Sequence, residues 1–211
     1  MPDPVIGPIV GVILAGGRAE RMGGGDKGLC TVGGKAILAR VIERVRPQVD
    51  ALVLNANGDP ARFAAFGLPV VPDSVPDFAG PLAGVLAGLD WAAAHHPQAH
   101  YVVTAPADGP FLPRDLVRHL ADTLAAEDAE LVTAASGAQT YPVVGLWPVT
   151  LRTALRDALT KEGMHKVDSW TRRFRRAVAT FPAEPVDPFF NANTPEQLAE
   201  AERLAALHPD L

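Results

Sequence analysis

Seven short apolar runs, at residues 9–14, 51–55, 68–72, 101–105, 131–135, 143–147 and 176–181, most of them separated by stretches of helical periodicity, constrain this chain more than any other feature. Each run is too short for a stable helix and is bounded by Gly, Pro, Asn or Asp, which marks a buried strand. Between them, Ile37, Leu38, Val41, Ile42 and Val45 recur at helical spacing within 35–45. Residues 82–94 form an alanine-rich helical stretch with Pro81 suited to its first turn. Further helices are predicted at 61–66, 113–126, 150–159 and 194–205. Thr194, Pro195 and Gln197 give the last of these a capping signature. Strands alternating with helices predict an α/β chain: a doubly wound, mostly parallel sheet with helices on both faces.

Composition bounds the rest. With 211 residues and 48% hydrophobic content, the chain can bury a full core, and no linker or repeat divides it. The expectation is one domain over 1–211, with the proline-rich residues 1–8 as an extended lead-in. A net charge of −5 argues against a nucleic-acid surface, which needs clustered Lys and Arg. The local group Arg172, Arg173, Arg175 and Arg176 reads as a solvated helix or loop face, with an anionic substrate as the sharper alternative. A lone cysteine, Cys30, rules out an internal disulfide and suits a reducing cytoplasm. No apolar run reaches the roughly 18 residues of a membrane span, and no basic region precedes the first apolar residues. A soluble, unprocessed, cytoplasmic protein is expected.

In doubly wound sheets ligands bind outside the carboxyl ends of the strands. The first strand empties there into the loop AGGRAERMGGGDK, rich in glycine and carrying Arg18, Arg21 and Lys27. Glycines expose main-chain N–H groups to a ligand, so the loop suits a polyphosphate. Asn55, Asp73 and Asp108 fall at later strand ends on the same edge. Two familiar phosphate loops fail on spacing. G-x-x-x-x-G-K-[ST] is broken because Asp26 precedes Lys27 and Ala36 follows Lys35. A G-x-G-x-x-G match at Gly23, Gly25 and Gly28 lies too far past the strand.

A third pattern fits. Leu14, Gly16, Gly17, Arg21, Met22, Gly23 and Lys27, with one extra glycine, resemble the nucleotidyltransferase signature of the glycosyltransferase-A-like fold, the nucleotide-diphospho-sugar transferase-like architecture. Nearly the whole chain resembles the molybdenum cofactor guanylyltransferases: LAGGRAERMGGGDKGL at 14–29, NAN at 55–57, PDS at 72–74, GPLAG at 80–84, ADGPFLP at 107–113, YPVVGLWP at 141–148 and FNANTPEQL at 190–198. The resemblance implies transfer of GMP from GTP to the terminal phosphate of Mo-molybdopterin, with Mg²⁺ as cofactor and pyrophosphate released. It also implies transient contacts with proteins that deliver the pterin or receive the product.

The resemblance further implies roles for individual residues. Leu14, Ala15, Gly16 and Gly17 would meet the nucleoside, with Asn55 and Asp73 completing its pocket. Lys27 and Arg21 would hold the phosphates and Asp108 the metal. Asn191 and Asn193 would line the acceptor side, together with Lys166 in the segment GMHKVDSW at 163–170. The chemistry agrees, because in-line attack on an α-phosphorus develops negative charge that cations must neutralise, and an ionised phosphate nucleophile needs no activated Ser, His or Cys.

Each residue also has a plainer reading. Asp73 and Asp108 could cap loops, Lys27 could be a solvated charge, and Arg21 could pair with Glu20 or Asp26. His95 and His96 are expected to face solvent, and Trp91, Trp147 and Trp170 to pack in the core or an interface. The chain departs from the family pattern at Tyr141, where a histidine is frequent, at Gly109, where a threonine is, and at His165, where an arginine is. Three rivals remain: the sister cytidylyltransferase, whose loop usually has a second alanine where Gly16 stands; an enzyme for another phosphate acceptor; and a non-catalytic nucleotide-binding or delivery protein.

Overall fold

Strand β1 (Ile9–Leu14) runs through the middle of the sheet because its side chains are apolar on both faces, as a strand covered on both sides requires. The computed structural model describes residues 7–16, 27–75 and 80–210. The other strands are β2 (Thr31–Val32), β3 (Lys35–Ala36), β4 (Ala51–Asn55), β5 (Val70–Val71), β6 (Tyr101–Pro106), β7 (Leu131–Ser136), β8 (Gln139–Pro148) and β9 (Arg176–Phe181). Seven of them form one sheet in the order β5-β4-β1-β6-β8-β7-β9. All pairings in it are parallel except the two made by β8. The mostly parallel sheet expected from the alternation of runs is therefore present.

Odd and even strand positions face different helical layers, as the two-residue side-chain period demands. Ile9, Ile13, Leu52, Leu54, Val103, Val132 and Leu146 share one core with α1 (Ile37–Val45), α3 (Leu116–Ala126) and α6 (Pro195–Leu207). Val10, Val12, Val53, Val102, Leu131 and Trp147 share the other with α2 (Pro81–His95), α4 (Arg152–Glu162) and α5 (Val167–Thr171). Trp147 and Trp170 are core residues, each 1% exposed, while the half-buried Trp91 packs against the edge of the second core and stacks on His95 at 4.9 Å.

Local structure differs from expectation in four places. Residues 35–36 begin no helix. They pair back on β2 as a hairpin turning at Gly33 and Gly34, whose φ of 59° and 73° suit a tight two-residue turn. The stretch at 61–66 is a 3₁₀ helix, Pro60–Phe66, started by Asp59 accepting from Ala61 N and stopped by left-handed Gly67. The helix expected at 113–126 starts only at Leu116, and that expected at 150–159 opens with a 3₁₀ turn, Val149–Leu151, and is α-helical from Arg152.

Register places the functional edge. Leu14 is level with Asn55 on one side and Pro106 on the other, so the exits of β1, β4 and β6 lie abreast. Ala15 N donates to Asn55 O at 2.8 Å and Ala107 N to Leu14 O at 3.0 Å, carrying the ladder one residue past the strands. The loop after β6 is braced from α1 and the 3₁₀ turn that follows it: buried Arg44 donates to Leu112 O at 2.8 Å and Gln48 Nε2 to Pro113 O at 3.0 Å. No helix among the described residues is long and apolar enough to cross a membrane.

Candidate active site at the carboxyl edge of the sheet

On the β4–β5 side the site is a closed network of amides and one carboxylate. Asn55 ends β4 and is 2% exposed, so its amide must find partners inside the protein. It donates from Nδ2 to Val71 O at 3.2 Å and to Asp73 Oδ1 at 3.0 Å. Asn57 completes the network: its Nδ2 donates to Asp73 Oδ2 at 2.7 Å, and its Oδ1 accepts from Asp73 N at 2.9 Å. Each oxygen of Asp73 thus carries one amide donor and keeps further acceptor capacity. The first turn of α2 presses on the network from above. A Cβ at Gly84 would overlap Asn55 Oδ1 and approach Leu14 Cδ2 to 2.8 Å, so only glycine lets the helix sit there.

On the β6 side the polar groups are less provided for. Asp108 follows β6 in a turn, and burial pushes its carboxyl above the usual carboxylate range, with the positive charge of Lys27 pulling the other way. Lys27 Nζ donates to Asn193 Oδ1 at 2.5 Å, joining the loop after β1 to the segment before α6. Ala192 N donates to Asp108 O at 3.1 Å, which lays that segment against the Asp108 turn. A Cβ on Gly109 would lie 3.6 Å from Asn191 Oδ1, and that oxygen is buried without a hydrogen-bond partner among the described residues.

The cap of α6 anchors Asn193. Thr194 Oγ1 accepts from Gln197 N at 3.2 Å, as the capping signature predicts. Gln197 Oε1 accepts from Asn193 N at 2.9 Å, so the reciprocal bond falls one residue earlier than in the usual capping box.

Leu14, Ala15, Asn55, Asp73, Lys27, Asp108, Asn191 and Asn193 therefore gather on one edge, and Gly16 stands exposed beside Asn55, the site a Cβ would occupy lying 3.6 Å from its Oδ1. Gly17 and Arg21 lie outside the described residues. Lys166 is exposed at the start of α5, in a segment whose His165 O lies 3.8 Å from the Cβ position of Gly80, the N-cap of α2. Of the Arg172–Arg176 group, Arg173 pairs with Glu162 and Arg176 with Asp168, which fits the solvated-face reading. Asn57 was legible as the third letter of NAN but carries no signal of its own for holding Asp73. Tyr141 OH donates to Asp187 Oδ2 at 2.5 Å, and nothing in sequence spacing points to that pair.

The donor set fits a hard divalent cation. The half-buried Asp108 carboxylate and the Asn191 oxygen, unpartnered among the described residues, are oxygen ligands of the kind Mg²⁺ takes, with phosphates and waters completing its shell. Among the described residues no cluster of three His, Cys, Asp or Glu offers an all-protein cage.

A parallel α/β sheet that sets a lysine, a desolvated aspartate and a ring of amides around the exits of three adjacent strands is the layout of a nucleotide-handling transferase. Comparison with known proteins gives the class a family. Residues 11–178 match the model of the MobA-like NTP transferase domain. A molybdenum cofactor guanylyltransferase of Nitrobacter hamburgensis is 60% identical over 96% of this chain and 97% of its own length. The crystal structure of molybdopterin-guanine dinucleotide biosynthesis protein A from Archaeoglobus fulgidus superposes with a TM-score of 0.72 at 22% identity, covering 94% of this chain and 99% of that one. Rv0371c of Mycobacterium tuberculosis, solved in complex with manganese, gives 0.68 at 20% identity over 93% and 98%. The chain belongs to the MobA-like NTP transferase family.

Proposed function

We propose that this protein transfers GMP from GTP to the terminal phosphate of Mo-molybdopterin, forming the guanine dinucleotide cofactor and releasing pyrophosphate. The observation that carries the reading is the junction of Lys27 with Asn193 beside the desolvated Asp108, where a phosphate-binding loop meets a second polar loop across the exit of β6. The relatives at 56–60% identity, all molybdenum cofactor guanylyltransferases by name, support the same substrates.

The whole chain, 1–211, acts as one nucleotidyltransferase unit in the cytoplasm. The backbone of Leu14, Ala15, Gly16 and Gly17 meets the nucleoside, and Asn55 with Asp73 closes its pocket. Lys27 and Arg21 hold the phosphates of GTP, and Asn191, Asn193 and Lys166 hold the acceptor. Asp108 and the Asn191 oxygen hold Mg²⁺, which when bound supplies positive charge to the phosphate oxygens.

A terminal phosphate oxygen of the acceptor forms a bond to the α-phosphorus, and the bond from that phosphorus to the bridging oxygen breaks, sending its electrons out with pyrophosphate. Lys27 and Arg21 lower the barrier by neutralising the charge that develops on the equatorial and leaving oxygens. No general base is required, because the attacking phosphate is ionised at neutral pH. Proteins that bring Mo-molybdopterin or take the product make transient contacts at the exposed edge.

The test offers purified protein GTP, CTP and ATP with Mg²⁺ and Mo-molybdopterin and identifies the dinucleotide by mass. A guanine product is expected. A cytosine product would overturn the choice of base, and GTP binding without turnover would overturn catalysis.

A further inference from the structure

The segment that carries Asn191 and Asn193 to the site is long, and few polar bonds tie it down. It leaves β9 at Phe181 and reaches α6 at Pro195. Among the described residues, Tyr141 OH donating to Asp187 Oδ2 at 2.5 Å is the one hydrogen bond that joins residues 182–190 to the rest of the protein. Asp187 is itself the pivot of a turn: its Oδ1 accepts from Phe189 N at 2.9 Å and its carbonyl from Phe190 N at 3.1 Å. Directly after that turn, Asn191 meets Gly109, Ala192 N bonds Asp108 O, and Asn193 Oδ1 holds Lys27.

The position of Tyr141 is built into the sheet. β8 pairs with β7 through Thr133↔Gly145 and then Ala134↔Tyr141, so residues 142–144 form a bulge with no counterpart on β7. Pro142 has no N–H to offer the ladder. The bulge is closed from the other side, where Thr104 Oγ1 donates to Val143 O at 2.5 Å and accepts from Trp147 Nε1 at 2.8 Å. Beyond the bulge the Tyr141 ring packs on Phe189 at 4.9 Å, and Phe189 packs edge-on against Phe181 at 5.2 Å. A rigid bulged strand, an aromatic contact and one charge-assisted hydrogen bond thus converge on Asp187.

We infer that Tyr141 is a positioning residue: by holding Asp187 it sets the register of residues 187–193 against Asp108 and Lys27, and so the placement of the acceptor phosphate for attack. The inference rests on the guanylyl-transfer reading. It assigns no contact between Tyr141 and either substrate.

Tyr141→Phe tests it, since the ring and its packing on Phe189 remain and only the hydroxyl is lost. The KM for Mo-molybdopterin should rise about tenfold, the worth of one hydrogen bond to a charged acceptor, while the Kd for GTP stays at the wild-type value. Asp187→Ala should give the same split, and the double variant should be no worse than the poorer single one. In parallel, hydrogen exchange at the Ala192 amide should speed up in Tyr141→Phe while exchange at the Ala15 amide does not. Equal losses of GTP and acceptor affinity would reduce Tyr141 to general packing and overturn the inference. So would a change in either readout, exchange or acceptor KM, without the other. Wild-type protein that transfers no GMP would sink the functional reading instead, and the exchange arm would still report on the tether.

Discussion

The two halves of the site are provisioned differently. At the exits of β4 and β5, Asn55, Asn57 and Asp73 satisfy one another through 2.7–3.2 Å hydrogen bonds before any ligand arrives. At the exit of β6, burial raises the Asp108 carboxyl above its usual range, and the Asn191 oxygen is buried without a partner among the described residues. In the proposed function, the first half is the surface a nucleoside is read against, and the second supplies the polar groups that the metal and phosphates would engage, as electrostatic preorganisation requires. Binding energy in such a site is drawn from groups that cost the folded protein stability.

Asp108→Asn is the strongest way to break this contrast. Losing the carboxylate should abolish transfer, by about a thousandfold or more in kcat/KM, while raising the melting temperature of the ligand-free protein. The sign follows from burial. A carboxyl whose pKa is raised on folding binds its proton more tightly in the native state than in the unfolded one, so ionisation at neutral pH destabilises the fold and acidification relieves that cost. A neutral amide removes it, worth about 2–4 °C per kcal/mol for a chain of this size. Calorimetry of both proteins without nucleotide decides the matter, and a lower melting temperature for the variant would mean that Asp108 supports the fold.

Gly84→Ala attacks the finished half. The added methyl would overlap Asn55 Oδ1, and Asn55 is pinned by two hydrogen bonds. Overpacking of this kind costs about 1–3 kcal/mol, so a fall in melting temperature is expected together with weaker GTP binding by titration calorimetry. A variant that keeps wild-type GTP affinity would show that the network tolerates displacement and is not the reading surface.

How far these halves could be foreseen follows from the range of the interactions. All seven strands of the sheet were legible as short apolar runs bounded by turn residues, and β1 displays in sequence the apolar residues on both faces that a buried parallel strand needs. The edge holding Asn55, Asp73 and Asp108 follows from strand order alone. Lys27 meeting Asn193 spans 166 residues and Tyr141 meeting Asp187 spans 46, and no local periodicity encodes such pairs. The bulge at 142–144 depends on a mismatch between two strands, and the helix expected from residue 35 starts at Ile37 because Lys35 and Ala36 pair in a hairpin that two left-handed glycines favour. Roles reached through resemblance to the guanylyltransferases placed Asn191 and Asn193 on the acceptor side without indicating that Asn191 would be the unsatisfied oxygen.

Asn57→Ala sharpens the comparison with a smaller effect. It removes one of the two amide donors on the Asp73 carboxylate and leaves the Asn55 bond in place. GTP affinity should fall about fivefold to tenfold, within the worth of one hydrogen bond to a charged group, and the KM for the acceptor should hold. A shift confined to the acceptor would place Asp73 in the wrong half.

The smallest effect is expected at alkaline pH, and it belongs to the β8 side. Burial, and then the neighbouring Asp187 carboxylate, push the Tyr141 hydroxyl far above the ordinary phenol range. Because the folded-state pKa exceeds the unfolded value of about 10, the associated stability is complete below pH 10. It declines as the pH rises from there toward the folded-state value, as the unfolded chain gains from ionising first. Wild-type protein should therefore lose stability to denaturant more steeply above pH 10 than Tyr141→Phe does, with the two curves parallel at pH 7–9. Parallel curves through pH 11 would mean that the phenol titrates as freely in the fold as outside it, and that the bond to Asp187 does not hold the proton.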